Sequence, residues 1–159
     1  MDSFRRDQEF LTWTIAESVR LKAEVVSADE HESGLRRVLN FGHTIAHALE
    51  AATGYRHFLH GEAVAWGMIA ATRIAAEIGR CHRDTHQQIR EATLAWGRLP
   101  RVTVTTSKVL KLIQSDKKAE KGAVKFVLPT EIGKVELVNN VPAQAIAFAM
   151  DEIRRLSRD

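Results

Sequence analysis

The sequence of 159 residues contains a single cysteine, Cys81. One cysteine excludes an internal disulfide and any zinc site built from several thiolates, and it fits a reducing, cytoplasmic setting. The chain also lacks a long apolar run: the longest, AVAWGMIAA, is too short to cross a bilayer, and the N-terminus has no basic segment followed by an apolar one. We therefore expect a cytoplasmic protein that is neither exported nor bound to a membrane.

Two further absences concern nucleotides. No glycine-rich turn leads from a strand into a helix, and no strand–helix alternation typical of a parallel sheet occurs, so nothing in the sequence predicts a dinucleotide-binding domain. The formal net charge is only +3, with 23 basic residues spread among 20 acidic ones, which argues against a nucleic-acid partner. A small anionic substrate is the more modest expectation.

What the sequence does contain is enough apolar material for one core. Hydrophobic residues make up 45% of the chain and charged residues 27%, and there is no internal repeat, low-complexity tract or long linker. We therefore expect residues 1–159 to form one compact domain.

Apolar periodicity and helix-ending residues predict a mainly α fold, a helical bundle with one small β-hairpin. The predicted helices are 7–26, 35–52, one from just after His60 to Gly79, 84–96, 107–114 and a last one that begins at Pro142. The segments VKFVLP and KVELV, separated by TEIG, predict the hairpin. The third helix is apolar on most sides, so we expect it at the centre of the bundle.

Four polar side chains share one stripe of the predicted second helix. At 100° per residue, Arg36, Asn40, His43 and His47 fall within a sector about 60° wide. Lys and Glu would be more usual on a solvated face, since they are better helix formers than Asn or His. Each residue alone is best interpreted as an ordinary polar group, but the set, together with His60, indicates a site.

Imidazoles are common zinc ligands, and two histidines with a carboxylate and an open position form a recurring catalytic arrangement. His43 with His47, or His43 with His60, would supply such a pair, and spacing does not choose between them. The remaining histidines are expected at the surface: His31, His57, His82 and His86.

Three other polar features are ordinary solvated charges when taken singly: Lys22, Glu32 and the run SDKKAEKG at 115–122. The run is predicted to lie in a loop between a helix and a strand. In such a loop two ammonium groups could grip an anion.

Long motifs in this sequence resemble those of a known family. The run KAEVVSADEHESGLRRVLNFGHTIAHALE, followed by YRHFLHGEAVAWGM and later by SDKK and VLP, is similar to the C-terminal domain of 3-dehydroquinate synthases. The similarity extends from about Ser18 to the end of the chain. One position departs from the pattern, Ala46, where the family usually has glycine, and this small-for-small change should permit similar packing.

The resemblance implies specific roles. His43 and His60 match two of three zinc ligands, whereas His47 matches a residue that hydrogen-bonds the substrate and takes part in proton transfer, with Glu32 nearby. The positions that match substrate-holding or catalytic residues are Lys22, Arg36, Asn40, Lys117 and Lys118. The third ligand of the family is a glutamate in a GxAEVIK-like motif that would lie before Met1, and neither Glu9 nor Glu17 sits in such a motif.

The resemblance also implies a reaction of the shikimate pathway, the conversion of 3-deoxy-arabino-heptulosonate 7-phosphate to 3-dehydroquinate and phosphate. Zinc acts there as a Lewis acid and NAD carries the hydride chemistry. The family's N-terminal NAD-binding domain has no counterpart in this chain. We therefore expect the chain to be inactive alone and to pair with such an N-terminal half, with a homodimer as a further assembly to consider.

Three alternatives are retained. Cyclases that make inosose or valiolone share the fold and metal pair, but the DKK run and the LNFGHT stretch favour the synthase. Polyol dehydrogenases such as glycerol dehydrogenase have a similar helical domain, but their substrates lack phosphate. A non-catalytic remnant domain would have no reason to keep four polar residues in one sector.

Overall fold

The computed structural model describes residues 7–31, 34–119 and 124–158, with only the backbone described for 116–119. The elements in chain order are α1 (Gln8–Ala28), a 3₁₀ helix (Leu35–Asn40), α2 (His43–Ala52), α3 (His60–Glu77), α4 (Arg83–Ala95), α5 (Thr106–Ala119), β1 (Lys125–Glu131), β2 (Lys134–Asn139) and α6 (Ala143–Leu156). The prediction of a mainly α bundle with one small hairpin is confirmed. No helix in these described ranges is long and apolar enough to cross a membrane.

Helix α1 begins where the sequence predicted. The Asp7 side chain accepts the backbone N–H of Phe10 at 2.9 Å, which satisfies one of the free donors of the first turn. No residue of α1 is buried, and its large apolar side chains include Trp13, which is 62% exposed, and Val19, which is 63% exposed. Helix α1 is therefore attached to the domain without contributing to its core.

The prediction of a single helix over 35–52 is wrong. A 3₁₀ helix ends at Asn40, Phe41 is extended with ψ of 124°, and Gly42 has a left-handed φ of 84°. The α-helix begins only at His43. A left-handed residue stops a right-handed helix, and glycine adopts that conformation at little cost.

The break in the chain coincides with a close approach of two backbones. A Cβ added to Gly67 in α3 would lie 2.0 Å from the carbonyl oxygen of Gly42, and one added to Gly42 would lie 2.7 Å from the backbone nitrogen of Met68. Neither side chain would fit without a shift of the backbone. This contact holds the start of α2, and with it His43, against α3.

Helix α3 lies at the centre, as predicted. It packs against α2, α4, α6 and β1, and its own side chains form much of the core. The indole of Trp66, which is 1% exposed, donates to the carbonyl of Pro100 at 2.9 Å, so its one polar atom is satisfied. The first turn is fixed by Glu62, whose carboxylate accepts the backbone N–H of Leu59 at 2.8 Å.

The C-terminal part follows the prediction with one correction. Strands β1 and β2 pair antiparallel, with Phe126 opposite Val138, and α6 starts directly after Pro142. Helix α5 is longer than predicted and runs to Ala119. The SDKK run at 115–118 is therefore helical, and its predicted position in a loop is wrong.

Candidate functional site

Three imidazoles meet where α2 and α3 begin. The ring centroid of His43 lies 5.6 Å from that of His47 and 5.4 Å from that of His60, and the rings of His47 and His60 are 6.3 Å apart. His43 and His47 are brought together by one turn of α2, whereas His60 is the first residue of α3. The Gly42–Gly67 contact sets how closely the two helices approach, so it helps to gather the cluster.

Two of the three rings are held through one nitrogen. Nδ1 of His43 lies 3.3 Å from the carbonyl oxygen of Phe41, and Nδ1 of His60 lies 3.1 Å from Oε1 of Glu50. Since both partners are acceptors, Nδ1 carries the proton in the neutral rings and the lone pair lies on Nε2. Within the described residues no hydrogen bond occupies either Nε2 atom, and none holds His47. His43 and His60 therefore each have one fixed ring nitrogen and one available ring nitrogen, whereas the ring of His47 is not fixed by a hydrogen bond.

The electrostatic setting favours a neutral His43. Burial lowers the pKa of His43 below its ordinary value, and the neighbouring His47 and His60 lower it further, while the Phe41 carbonyl and the Glu50 carboxylate oppose the change. A lowered pKa keeps the ring neutral at neutral pH. The neutral ring is the form that binds metal.

An open cleft of about 660 Å³ lies beside the imidazoles, between α2 and α5. His47, Glu50 and His60 line one side, and Leu112 and Ser115 of α5 line the other. The cleft is large enough for a small sugar-sized ligand. A larger cleft of about 960 Å³ lies between α3, α4 and the hairpin, but it is lined mainly by apolar side chains and contains none of the predicted site residues.

The donor pair fits a divalent metal. Two imidazoles on one tetrahedral zinc have ring centroids about 5 Å apart, because each Zn–N bond is about 2.1 Å long. The rings of His43 and His60, 5.4 Å apart, match this spacing, and each has a hydrogen bond on the opposite nitrogen, as metal-binding histidines usually do. In the ranges the structure describes, no three His, Cys, Asp or Glu side chains are arranged to hold a metal ion.

The helical stripe predicted from the sequence does not exist as such: Arg36 and Asn40 lie in the 3₁₀ helix, and the break at Phe41 and Gly42 separates them from the histidines of α2. The backbone N–H of Arg36 donates to Asp29 at 2.9 Å and its guanidinium donates to the Glu30 carbonyl at 3.4 Å. Asn40 is exposed. Neither residue forms a hydrogen bond with the imidazoles in the described part of the chain.

The remaining predicted site residues lie apart from the cluster or outside the described part of the structure. Lys22 is exposed on α1 and makes no hydrogen bond or ion pair with another described residue. Glu32 lies outside the described residues. Lys117 and Lys118 are in the last turn of α5, directly after Ser115 of the cleft, and their side chains are outside the described part.

Sequence reasoning missed two carboxylates and misplaced one histidine. Glu50, which holds His60, follows His43 by seven residues and His47 by three on the same helix, and this spacing was the available signal. Asp29, which is 7% exposed, accepts the backbone N–H groups of Gly34 and Arg36 and so shapes the entry to the 3₁₀ helix. His86 was expected at the surface, but it is 6% exposed. The other three expected surface histidines are exposed: His31, His57 and His82.

Two solved structures share this architecture. A 2-epi-5-epi-valiolone synthase from Streptomyces hygroscopicus subsp. jinggangensis 5008, solved with NAD+ and Zn2+ bound, matches with a TM-score of 0.78 at 23% identity over 96% of this chain and 42% of that chain. A 2-deoxy-scyllo-inosose synthase complexed with carbaglucose-6-phosphate, NAD+ and Co2+ matches with a TM-score of 0.69 at 23% identity over 87% of this chain and 39% of that one. The fold of this chain is therefore shared with part of each of these two synthases.

Comparison of the sequence identifies the family to which the chain belongs. The family described as 3-dehydroquinate synthase C-terminal matches residues 1–119, and the chain belongs to that family. A 3-dehydroquinate synthase from Koribacter versatilis (strain Ellin345) is 53% identical over 96% of this chain and 42% of its own length. One from Crocosphaera subtropica (strain ATCC 51142 / BH68) is 42% identical over 92% of this chain and 40% of its own length. The chain thus spans about two-fifths of the length of these relatives.

Proposed function

We propose that the chain is the metal- and substrate-binding part of a 3-dehydroquinate synthase. The complete enzyme would convert 3-deoxy-arabino-heptulosonate 7-phosphate to 3-dehydroquinate and phosphate in the shikimate pathway. One observation carries this proposal: in a chain of this family, the ring centroids of His43 and His60 lie 5.4 Å apart, His60 lines a cleft, and each ring has Nδ1 hydrogen-bonded and Nε2 available.

In this proposal His43 and His60 hold a divalent cation, zinc or one like it, through their Nε2 atoms. The cation, when bound, supplies Lewis-acid polarisation of a substrate oxygen. Two imidazoles leave coordination positions open for substrate and for a carboxylate from elsewhere in the enzyme. The relatives extend well beyond the part that this chain matches, so such a ligand has a source outside residues 1–159.

His47 is assigned to the substrate rather than to the metal. It is exposed at the same cleft, and in the described part no hydrogen bond fixes its ring. An imidazole that no hydrogen bond fixes is suited to donating and accepting a substrate proton. Glu32 is proposed to assist His47.

The substrate's carboxylate, hydroxyls and phosphate are assigned to the basic and amide side chains that the family resemblance selected. Ser115 lines the cleft, and Lys117 and Lys118 follow it directly in α5, which supports the assignment of a phosphate to this end of the cleft. The other residues in this set are Lys22, Arg36 and Asn40.

We further propose that NAD is bound mainly by an N-terminal part of the enzyme and that residues 1–159 form one domain that is inactive alone. NAD, when bound, supplies hydride transfer. Helix α1 is assigned as the contact surface for that part, because Trp13, Ile15 and Val19 are large apolar side chains left exposed on it. A homodimer is the alternative use of this surface. A cytoplasmic location is part of the same proposal.

The metal assignment is tested by titrating Zn2+ into the metal-free chain by calorimetry. We expect binding in the wild type and in His47→Ala, and loss of binding in His43→Ala and in His60→Ala. His47→Ala is the matched control, since it removes an imidazole from the same cluster. Loss of binding in His47→Ala with retention in His60→Ala would instead place the ligand pair within α2.

The activity is tested by measuring phosphate release from the heptulosonate 7-phosphate with NAD and zinc. We expect no release by the chain alone and release when the N-terminal part of a relative is added. Glycerol and other phosphorylated sugars serve as competing substrates that separate the synthase from polyol dehydrogenases and other cyclases. Failure of the reconstituted enzyme to release phosphate from the heptulosonate would contradict the proposed reaction.

A further inference from the structure

Glu50 is a buried carboxylate next to the imidazole cluster. It lies in the last turn of α2, and its Oε1 atom is 3.1 Å from Nδ1 of His60 at the first residue of α3. The Glu50 side chain is 9% exposed, whereas the His60 side chain is 59% exposed. A buried group on one helix therefore supports an exposed ring on the next.

Helix stability and packing alone disfavour a carboxylate at this position. The C-terminal end of a helix carries partial negative charge, which repels an anion in the last turn. Burial adds a desolvation cost unless the carboxylate is paired with a cation or well hydrogen-bonded. In the described residues Glu50 forms no ion pair with a lysine or arginine, and no basic residue lies in the last turn of α2. The contact with His60 is what offsets these costs.

The contact also determines which nitrogen of His60 is available. An ionised carboxylate only accepts hydrogen bonds, so the neutral ring must carry its proton on Nδ1. The lone pair then lies on Nε2, which has no hydrogen bond among the described residues. A carboxylate in this position also makes the opposite nitrogen a stronger electron donor, as is general for carboxylate–histidine–metal arrangements.

We infer that Glu50 is a positioning residue for His60: it holds the ring in the Nδ1–H tautomer and directs Nε2 into the cleft as a ligand atom. This inference rests on the proposed metal-binding function, because a ligand atom has meaning only if a cation binds. The inference requires no contact between Glu50 and the cation. The effect of Glu50 is transmitted through the imidazole.

The first experiment needs no metal. Nitrogen-15 NMR of the histidine rings, at a pH of about 8 where imidazoles are neutral, reports which ring nitrogen is protonated. We expect the Nδ1–H tautomer for His60 in the wild type and a shift toward Nε2–H in Glu50→Ala. Glu50→Gln, whose amide oxygen still accepts a hydrogen bond, should retain the wild-type tautomer. It also preserves the volume of the buried side chain.

The second experiment measures the affinity for Zn2+ of the same variants, with the N-terminal part of a relative added if the chain alone binds weakly. We expect Glu50→Ala to weaken binding by about 10- to 100-fold and Glu50→Gln by less than about 10-fold. Glu62→Gln is the matched control, because Glu62 bonds the backbone of Leu59 beside His60 without contacting the ring. Its affinity should equal that of the wild type.

The outcomes separate this inference from the function on which it rests. If His60→Ala binds zinc as the wild type does, the proposed metal site fails. If His60→Ala abolishes binding but Glu50→Ala keeps both the Nδ1–H tautomer and an affinity within about twofold of wild type, the site stands and the role of Glu50 is overturned. A folded Glu50→Ala with the shifted tautomer and weakened binding supports the inference.

Discussion

Two histidine–carboxylate pairs in this molecule have nearly the same geometry and opposite surroundings. Nδ1 of His60 lies 3.1 Å from Glu50, and Nε2 of His86 lies 3.0 Å from Glu152. The second pair is buried on both sides, with side chains 7% and 5% exposed, and it joins α4 to α6. The first pair has one buried and one exposed member.

The difference lies in the second nitrogen of each ring. Nδ1 of His86 is 2.8 Å from the hydroxyl of Thr72, so both of its nitrogens are used within the protein, and guanidinium groups of Arg73 and Arg90 also approach Glu152. His60 has Nε2 available at an open cleft. We therefore expect the His86–Glu152 contact to stabilise the fold and the His60–Glu50 contact to support ligand binding.

The largest effect expected from this comparison is on stability, in His86→Ala. The variant leaves the Glu152 carboxylate and the Thr72 hydroxyl without a ring between them and opens a cavity in the α4–α6 contact, so we expect a loss of about 3 kcal/mol in the free energy of unfolding. Urea denaturation measures the loss. Zinc affinity should stay at the wild-type value.

In His60→Ala we expect the reverse pattern, a large effect on zinc binding and a small effect on stability. The variant should abolish zinc binding while lowering the free energy of unfolding by less than His86→Ala does, because the His60 ring is exposed and makes one hydrogen bond within the described residues. If the two variants lose equal stability, or if His86→Ala also loses zinc, the division into a structural pair and a ligand pair is wrong.

Much of the fold could be predicted from the sequence because it depends on local signals. Asp7 caps α1, Pro142 precedes α6, and the apolar sequence of α3 places it at the centre. The break at Gly42 could not be predicted, because the left-handed turn is stabilised by the approach of Gly67, which is 25 residues away in the chain. The prediction that Arg36 and Asn40 share one helical stripe with the histidines was therefore wrong.

The candidate site was predictable in part for the same reason. The four-residue spacing of His43 and His47 is local, and family motifs selected His60. Glu50 had a local signal in its three-residue spacing from His47 on the same helix. His86 had none, since its partner Glu152 lies 66 residues further along the chain. His82 and His86 are four residues apart, as His43 and His47 are, so this spacing alone does not identify a site.

A smaller loss of stability is expected when the contact between Gly42 and Gly67 is disturbed. This contact joins the start of α2 to α3, the helices that carry the His60–Glu50 pair, whereas the His86–Glu152 pair joins α4 to α6. Gly67→Ala places a Cβ 2.0 Å from the Gly42 carbonyl oxygen, so the start of α2 must move away from α3. We expect a loss of roughly 1–3 kcal/mol in the free energy of unfolding. Zinc binding should weaken because His43 moves relative to His60. Urea denaturation and calorimetry measure the two quantities.

Gly61→Ala is the matched control on the same helix. A Cβ at Gly61 meets no atom within 4 Å, so this variant should be as stable as the wild type or more stable by up to about 1 kcal/mol. Wild-type stability in Gly67→Ala would mean that the helices separate at no cost. The contact would then not define the site.

The smallest effect is expected in the response of the buried pair to acid. Burial by itself raises the pKa of the Glu152 carboxyl, but the hydrogen bond and charge of His86, together with Arg73 and Arg90, outweigh it and hold the pKa below its ordinary value. A carboxyl with a lowered folded-state pKa stabilises the fold above its unfolded-state pKa of about 4.3, and this contribution is lost as the pH falls through the folded-state value.

Between about pH 5 and about pH 3 the wild type should therefore lose more stability than Glu152→Gln, which has no carboxyl to protonate at this position. Urea denaturation at several pH values measures the difference between the two curves. Glu91→Gln, which removes an exposed carboxylate from α4, should follow the wild type. Parallel curves for the wild type and Glu152→Gln would mean that the buried pair does not couple folding to protonation. The contrast between the pairs would then lie only in the availability of the second ring nitrogen.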